Sequence, residues 1–411
     1  MSVLKNIKGD RGIWGLFIFL ALISFAPVYS ASSFLVNVMN RGTTSGYFIK
    51  HAFIVSLGIL LVYLVHKIPY RYFSGGSVIA MPLALLLMVY TLSQGTTIAG
   101  AMAARWIIIP IVGVSFQTST FVSLVVMIYT ARYLSRHRNE EIDFKRSLIV
   151  YWLPVGTILM SILPSNFSSA ALLYLSVSFL MLIGGYPFKH WSKITGMAAV
   201  LLVLFIIIGS AFSTRIKKKT LTWKNRMTDF IGITEKENGE KDGKKIKNTP
   251  NTYQVDRAMI AIATGGAFGK GAGKSRQRNF LPQSTSDFIY AIIVEEYGML
   301  GALVVVLVYV WLLIRFYVVA KKAKTVFATL LVLGVGFPVI FQAIVNMLVA
   351  THIFPVTGQT LPMLSSGGSS IWMTCIAIGI VLSVSVENQN ESIDVIPGED
   401  NPLEVLYETV E

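Results

Sequence analysis

The chain has 411 residues, 54% of them hydrophobic and 14% charged, with a mean hydropathy of +0.64. A soluble chain of this length exposes far more charge, so the composition excludes a cytosolic enzyme. Lys and Arg number 35 against 21 Asp and Glu, a net charge of +14; the last 25 residues, from Glu387, hold eight acids and no base, so the remainder is more basic still. The positive residues lie between apolar runs and not on a DNA- or RNA-binding motif, which leaves orientation by cytoplasmic Lys and Arg, with attraction to anionic lipid, as the reason for them. The single cysteine, Cys375, excludes an intrachain disulfide and any cysteine-based zinc or iron–sulfur centre, and the five histidines show no ligand spacing.

A bilayer core of about 30 Å needs roughly 20 apolar residues per helix. Ten segments meet this, at about 12–32, 48–66, 77–94, 117–134, 147–163, 167–185, 194–213, 290–319, 326–350 and 369–386. The first is too long for a signal peptide and has no small-residue cleavage site before Asn40-Arg41, so it is expected to stay. Alternate short connections hold fifteen Lys or Arg against two, Arg41 and Arg105. The positive-inside rule then places both termini in the cytoplasm, as an even number of spans requires. The span interiors carry almost no ionisable residue, which speaks against an ion-coupled transporter.

The long connection 214–288 falls outside, with sixteen Lys or Arg against seven acids. Its middle, Glu235 to Asn248, is nearly devoid of apolar residues and reads as mobile. Gly265 to Ser275, GGAFGKGAGKS, tempts toward a phosphate loop, but Phe268 stands where a Walker A needs Gly and no strand precedes it. What survives is a backbone that can approach an anion closely, with Lys270, Lys274, Arg276 and Arg278 around it; a diphosphate fits such a nest, and a basic loop on lipid headgroups is the alternative. Asp287 stands where the chain re-enters the membrane. Desolvation there favours the neutral carboxyl and makes a useful general base, while capping of the following helix is an equal structural alternative. Glu295-Glu296-Tyr297-Gly298 follows two helical turns later, its acids more suited to helix packing than to chemistry. Pro355 to Ser370 is uncharged, hydroxyl-rich and carries two prolines and a Gly pair, as expected of irregular backbone lining a cavity at membrane depth. The acidic segment 387–411 reads as a solvated cytoplasmic tail, with contact to a basic partner as the alternative.

Ala104-Arg105-Trp106-Ile107, Tyr253-Gln254 with Ala261 to Gly273, Leu281-Pro282 with Ser286-Asp287-Phe288-Ile289, Glu295 to Gly298, and Pro355 to Ser370 together resemble the SEDS family (shape, elongation, division and sporulation), over nearly the whole chain to about Val386. The resemblance implies an all-α polytopic membrane domain, 1–386, of ten transmembrane helices with the long extracytoplasmic loop between helices 7 and 8. It implies an inverting peptidoglycan glycosyltransferase that polymerises lipid II, in its division branch, with the elongation branch, a lipid II flippase or an inactive division scaffold as alternatives. Asp287 matches the family's essential aspartate, the general base. Arg105, Trp106, Gln117, Lys270, Ser275, Arg278, Thr357, Gly358, Pro362, Ser365, Gly367 and Gly368 become substrate-binding positions, with Arg105, Lys270 and Arg278 facing the diphosphate; an interfacial belt is the other use for Trp106. A divalent cation, magnesium or manganese, is compatible with relatives, though no ligand spacing marks it. The implied partners are lipid II, undecaprenyl-linked glycan, a class B penicillin-binding protein and other division proteins, at the septal inner membrane. The chain also departs from its family. Gln117-Thr118-Ser119-Thr120 replaces Gln-Pro-Ser-Glu, with Ser123 where a Lys stands, and Ser165-Asn166-Phe167-Ser168-Ser169 replaces Pro-Asp-Leu-Gly-Thr. Losing the Glu and Lys together strands no buried charge, which suggests that the two act as a pair.

Overall fold

The computed structural model describes residues 8–390 apart from 38–41, 95–96, 99–100, 103–105, 110–113, 139, 213–220, 224, 228–229, 231–249 and 282–283. Arg105, the charged stretch Glu235 to Asn248 and most of the acidic tail therefore lie outside the described residues, as do the side chains of a few residues at element ends, Trp106 among them. The helices in chain order are α1 (Arg11–Ile23), α2 (Phe25–Asn37), α3 (Thr44–Val65), α4 (Arg71–Gln94), α5 (Thr118–Arg136), α6 (Phe144–Ser147), α7 (Leu153–Ile162), α8 (Phe167–Ile183), α9 (Phe188–Phe212), α10 (Pro250–Gly265), α11 (Ile289–Lys321), α12 (Val326–Ala350) and α13 (Gly368–Asn390). Among the described residues seven stretches are long and apolar enough to cross a membrane: Arg11–Ser32 and stretches of α3, α4, α9, α11, α12 and α13. This is the polytopic helical architecture that the hydropathy predicts.

The other three predicted spans are also helical, but less regular. Hydroxyls fill the first two turns of α5. The stretch 147–163 is broken by a π-turn at Leu148–Trp152, followed by Pro154 at the start of α7. Helix α8 has 17 residues. The all-α expectation needs one amendment. Between α4 and α5 the chain makes two short antiparallel ladders, β1 (Thr97–Ile98) with β2 (Ala101–Met102) and β3 (Trp106–Ile109) with β4 (Val114–Gln117), Trp106 pairing with Gln117. The β-branched residues of this stretch favour such pairing over helix.

Helices α12 and α13 form the centre: 67% and 78% of their apolar windows are buried, against 6% for α9. A helix apolar on every side needs no protein partner in lipid, because acyl chains are as apolar as Leu. Helix α13 packs on α3 and on α12, α12 on α5, and α11 on α12 and α10. At the predicted cytoplasmic end Asp10 caps α1, accepting from Ile13 N at 2.9 Å, and pairs with Arg315 of α11. The last part of the predicted loop 214–288 is not loose. Helix α10 and Leu281 pack with Phe288, Ala291 and Ile292 of the α11 entry and Val345 and Val349 of α12. This second apolar cluster fixes the chain on either side of Asp287.

Candidate functional site

The turn at 284–288 delivers Asp287 to the start of α11. The N-cap of that helix is Phe288, with no side-chain capping bond, so capping does not account for the Asp287 carboxylate. Its backbone is held from α12: Asn346 Nδ2 donates to the Asp287 carbonyl at 2.9 Å and to the Gln359 carbonyl at 2.7 Å. Ser365 Oγ donates to the Ser286 carbonyl at 2.7 Å, and Ser366 N to the Thr285 carbonyl at 2.8 Å. These bonds lay the 351–367 loop along the Asp287 turn, so that a Cβ placed on Gly358 would stand 3.5 Å from Asp287 Oδ2.

Arg226 approaches the same place from the 214–288 connection, its Nη1 donating to the Val356 carbonyl at 3.1 Å. Burial lowers the Arg226 pKa and the Asp287 charge raises it. Three buried polar atoms here have no hydrogen-bond partner among the described residues: Arg226 Nε, Asn346 Oδ1 and Thr357 Oγ1. Asn346 is 1% exposed and Thr357 8%. Leaving such groups unpaired costs about 1–3 kcal/mol each, so a polar ligand or ordered water that bonds them is favoured here.

A pocket lies between α5, α8, α12 and α13, lined by Ser119, Thr120, Ser123, Ser169, Gln342, Gln359, Ser370 and Thr374 over an apolar floor, and Gln359 joins it to the Asp287 turn through the shared Asn346 amide. Gln359 Nε2 reaches Ser169 Oγ at 2.9 Å, and Gln342 Nε2 reaches the Thr360 carbonyl at 2.8 Å. No charged side chain lines it among the described residues. Thr120 and Ser123 donate to the Gln117 and Ser119 carbonyls, both at 2.8 Å, so the positions of the family's Glu and Lys are neutral and satisfied. Likewise Asn166 caps α8, accepting from Ser169 N, and donates to Ser169 Oγ at 2.6 Å, so the position of the family's aspartate is also neutral and bonded.

The Gly-rich segment is engaged elsewhere. Helix α11 breaks at Gly298, whose φ of 69° and ψ of −168° lie outside the helical region. The carbonyls freed at Glu295 and Glu296 accept Lys270 N at 3.0 Å and Gly271 N at 2.9 Å. Met299 N and Leu300 N bond back to the Gly266 and Ala267 carbonyls at 2.9 and 3.2 Å. A Cβ on Gly298 would overlap the Ala267 carbonyl, and one on Gly269 the Glu296 carbonyl, so both positions need glycine. The carboxylates are held as tightly. Glu295 takes Lys270 Nζ at 2.6 Å, the Ser275 hydroxyl, Arg276 N at 3.1 Å and Gln277 N at 3.2 Å. Glu296 takes the Ser30 hydroxyl and Ser275 N, and Arg278 Nη1 donates to Ser30 Oγ at 3.2 Å. The anion in this nest is the protein's own Glu295.

The predicted binding residues thus separate. Thr357, Gly358 and Ser365 gather at Asp287. Lys270 and Arg278, expected to face a diphosphate, and Ser275, expected to bind substrate, are bonded instead to the two glutamates and Ser30. The reason is that the break in α11 exposes backbone and carboxylate acceptors that must be satisfied locally. Gln117 N donates to Ser369 Oγ at 2.9 Å, tying β4 to α13. The Pro362 carbonyl accepts the Tyr309 hydroxyl, and Gly367 and Gly368 open α13. Arg226, Asn346, Gln342 and Gln359 belong to the site without having been singled out by the sequence. Asn346 left a signal, as an amide within an apolar helix; Arg226 left none, as one of sixteen bases in its segment. No group of three or more His, Cys, Asp or Glu side chains among the described residues is placed to hold a metal ion.

Residues 10–390 match the family model of the FtsW, RodA and SpoVE cell cycle proteins. The chain is 30% identical over 370 residues to a probable peptidoglycan glycosyltransferase FtsW of Hydrogenovibrio crunogenus, covering 89% of this chain and 88% of that one. It is 27% identical over 398 residues to that of Coxiella burnetii, covering 95% and 100%. In fold it is similar to a chain of a peptidoglycan synthase complex, with a TM-score of 0.70 at 21% identity and 92% and 98% coverage. It is similar also to the rod shape determining protein RodA of Thermus thermophilus, with a TM-score of 0.61 at 21% identity and 92% and 96% coverage. The matched span, the membrane helices and the Asp287 turn lead to one assignment: the chain belongs to the FtsW/RodA/SpoVE family of cell cycle proteins.

Proposed function

We propose that the protein is a peptidoglycan glycosyltransferase of the FtsW type, polymerising lipid II during septal wall synthesis at the outer face of the bacterial cytoplasmic membrane. The observation that carries this reading is the Asp287 carboxylate, not spent on capping its helix, beside Gly358 and the buried polar atoms of Asn346, Thr357 and Arg226, on a loop whose Gln359 lines an uncharged, hydroxyl-rich pocket. The chain crosses the membrane ten times with both termini in the cytoplasm, and the names of its relatives favour the division branch over the elongation branch.

Asp287 takes the proton from the 4-hydroxyl of N-acetylglucosamine on an incoming lipid II. The freed oxygen pair forms a bond to C1 of N-acetylmuramic acid at the reducing end of the growing glycan. The C1–oxygen bond to undecaprenyl diphosphate breaks with its electrons on the leaving group, and the configuration at C1 inverts. A positioned base of this kind contributes about 10²–10⁴-fold in rate. The neutral hydroxyls and amides of the pocket suit sugar hydroxyls, which need donors and acceptors but no countercharge. A class B penicillin-binding protein is the partner that crosslinks the product.

The test is polymerisation of purified lipid II by the protein reconstituted with its cognate penicillin-binding protein, wild type beside Asp287→Ala. Polymer from wild type alone supports the reading. No polymer from wild type, under conditions where a relative is active, sinks it in favour of a flippase or a division scaffold.

A further inference from the structure

Resting on the reading of Asp287 as the base, we propose that Arg226 is its positioning residue: the guanidinium, anchored on the Val356 carbonyl, keeps the Asp287 carboxylate ionised and in register with the 356–359 backbone.

The geometry closes a short circuit. Arg226 Nη1 donates to the Val356 carbonyl at 3.1 Å. Gly358, two residues on, lies against Asp287 Oδ2. Gln359, next to it, shares the Asn346 amide with the Asp287 backbone. The loop therefore carries the arginine on one side and the aspartate on the other, and the two charges act on each other. A planar guanidinium offers donors in several directions at once, so one edge can hold a carbonyl while the rest stays near the carboxylate.

On α10, which packs beside the Asp287 turn, Arg257 lies over the Tyr253 and Phe280 rings at 5.0 and 5.1 Å. Helix α12 offers the neutral Asn346, and α8 the neutral Asn166 and Ser169. On α11, Glu295 and Glu296 are held by Lys270, Ser275 and Ser30. The titratable group of the 351–367 loop, His352, packs edge-on against Phe230 with ring centroids 5.6 Å apart. The arrangement suits an inverting transfer. The attacking hydroxyl becomes acidic as its bond to C1 forms, so the base must be deprotonated beforehand more than it must be strong.

Two readouts test this on the full chain with its partner. The first is the pH dependence of lipid II polymerisation for wild type, Arg226→Gln, Arg226→Lys and the control His352→Gln. Loss of the positive neighbour is expected to move the acid limb up by about one pH unit in Arg226→Gln, with the rate recovering at higher pH. Arg226→Lys, which keeps the charge but loses the fork, is expected to keep the limb in place and lower the plateau; His352→Gln is expected to leave the limb unmoved. An Arg226→Gln profile lowered equally at every pH overturns the proposal, since a merely structural arginine would give that. The second readout needs no catalysis. Carbodiimide labels the protonated carboxyl, so labelling of Asp287 followed by mass spectrometry is expected to begin at higher pH in Arg226→Gln or Arg226→Met than in wild type. If neither variant folds, wild type decides alone: a labelling midpoint above the ordinary aspartate value of about 3.9 overturns the inference. An inactive wild type with a shifted labelling midpoint in the variants would defeat the polymerase reading and leave the Arg226–Asp287 coupling standing.

Discussion

Two acidic sites on one segment, Asp287 and the Glu295-Glu296 pair eight residues later, are built in opposite ways. At the glutamates three of the four carboxylate oxygens accept hydrogen bonds, while Glu296 Oε2, Gln277 Oε1 and Arg278 Nε have no partner among the described residues. Lys270, Ser275, Ser30 and the backbone N–H groups of 275–277 converge on them, and the break at Gly298 is laced to the Gly-rich loop by four backbone bonds. At Asp287 the neighbours likewise leave a guanidinium Nε, an amide oxygen and a hydroxyl without partners among the described residues. The difference is in what the donors are spent on: at the glutamates a lysine, two hydroxyls and three backbone N–H groups bond the carboxylates, whereas at Asp287 the bonds from Asn346, Ser365 and Ser366 go to backbone carbonyls; a carboxylate by itself distinguishes neither.

The comparison breaks first at Asp287. Asp287→Asn is expected to lower polymerisation by about 10²–10⁴-fold while leaving the melting temperature near that of wild type, read in the same preparation. Should it instead unfold the protein, the contrast between the two sites fails. Gly298→Ala probes the other side. The substitution forces a Cβ toward the Ala267 carbonyl at a positive φ, and strain of that kind costs roughly 1–3 kcal/mol before the overlap is counted. A clear fall in thermal stability is expected, with Gly269→Ala behaving alike. Glu295→Gln comes next. It leaves Lys270, 27% exposed, without its ion pair, and a loss of about 1–2 kcal/mol is expected, reduced from the fully buried case because water reaches the ammonium. Adding Lys270→Met should recover part of it, which a denaturation double-mutant cycle measures. The smallest effect belongs to Arg71→Ala. Its pair with Glu387, at 2.9 Å, joins a side chain 67% exposed, and exposed pairs contribute about 0–1 kcal/mol.

The pocket sharpens the same contrast. Because Thr120 and Ser123 are neutral and satisfied, Ser123→Lys alone puts an unpaired charge among hydroxyls and should destabilise the protein. Together with Thr120→Glu it should be better tolerated, the joint replacement reversed.

The sequence by itself determined the membrane class and the apolar helices, since twenty apolar residues in lipid have almost no other way to satisfy their backbone. It also marked Asp287, Thr357, Gly358 and Ser365, because motifs of unusual composition at a membrane boundary stand out against apolar runs. Only the tertiary structure decided which polar groups meet. Lys270, Ser275 and Arg278 look like a phosphate nest in the sequence and prove to be the cradle of Glu295 and Glu296, an outcome set by a helix break that composition does not reveal. Arg226 is one base among many until the fold carries it 61 residues along the chain to Asp287. Spacing along the chain fixes local geometry, but a site's electrostatics come from residues that sequence keeps apart and packing brings together.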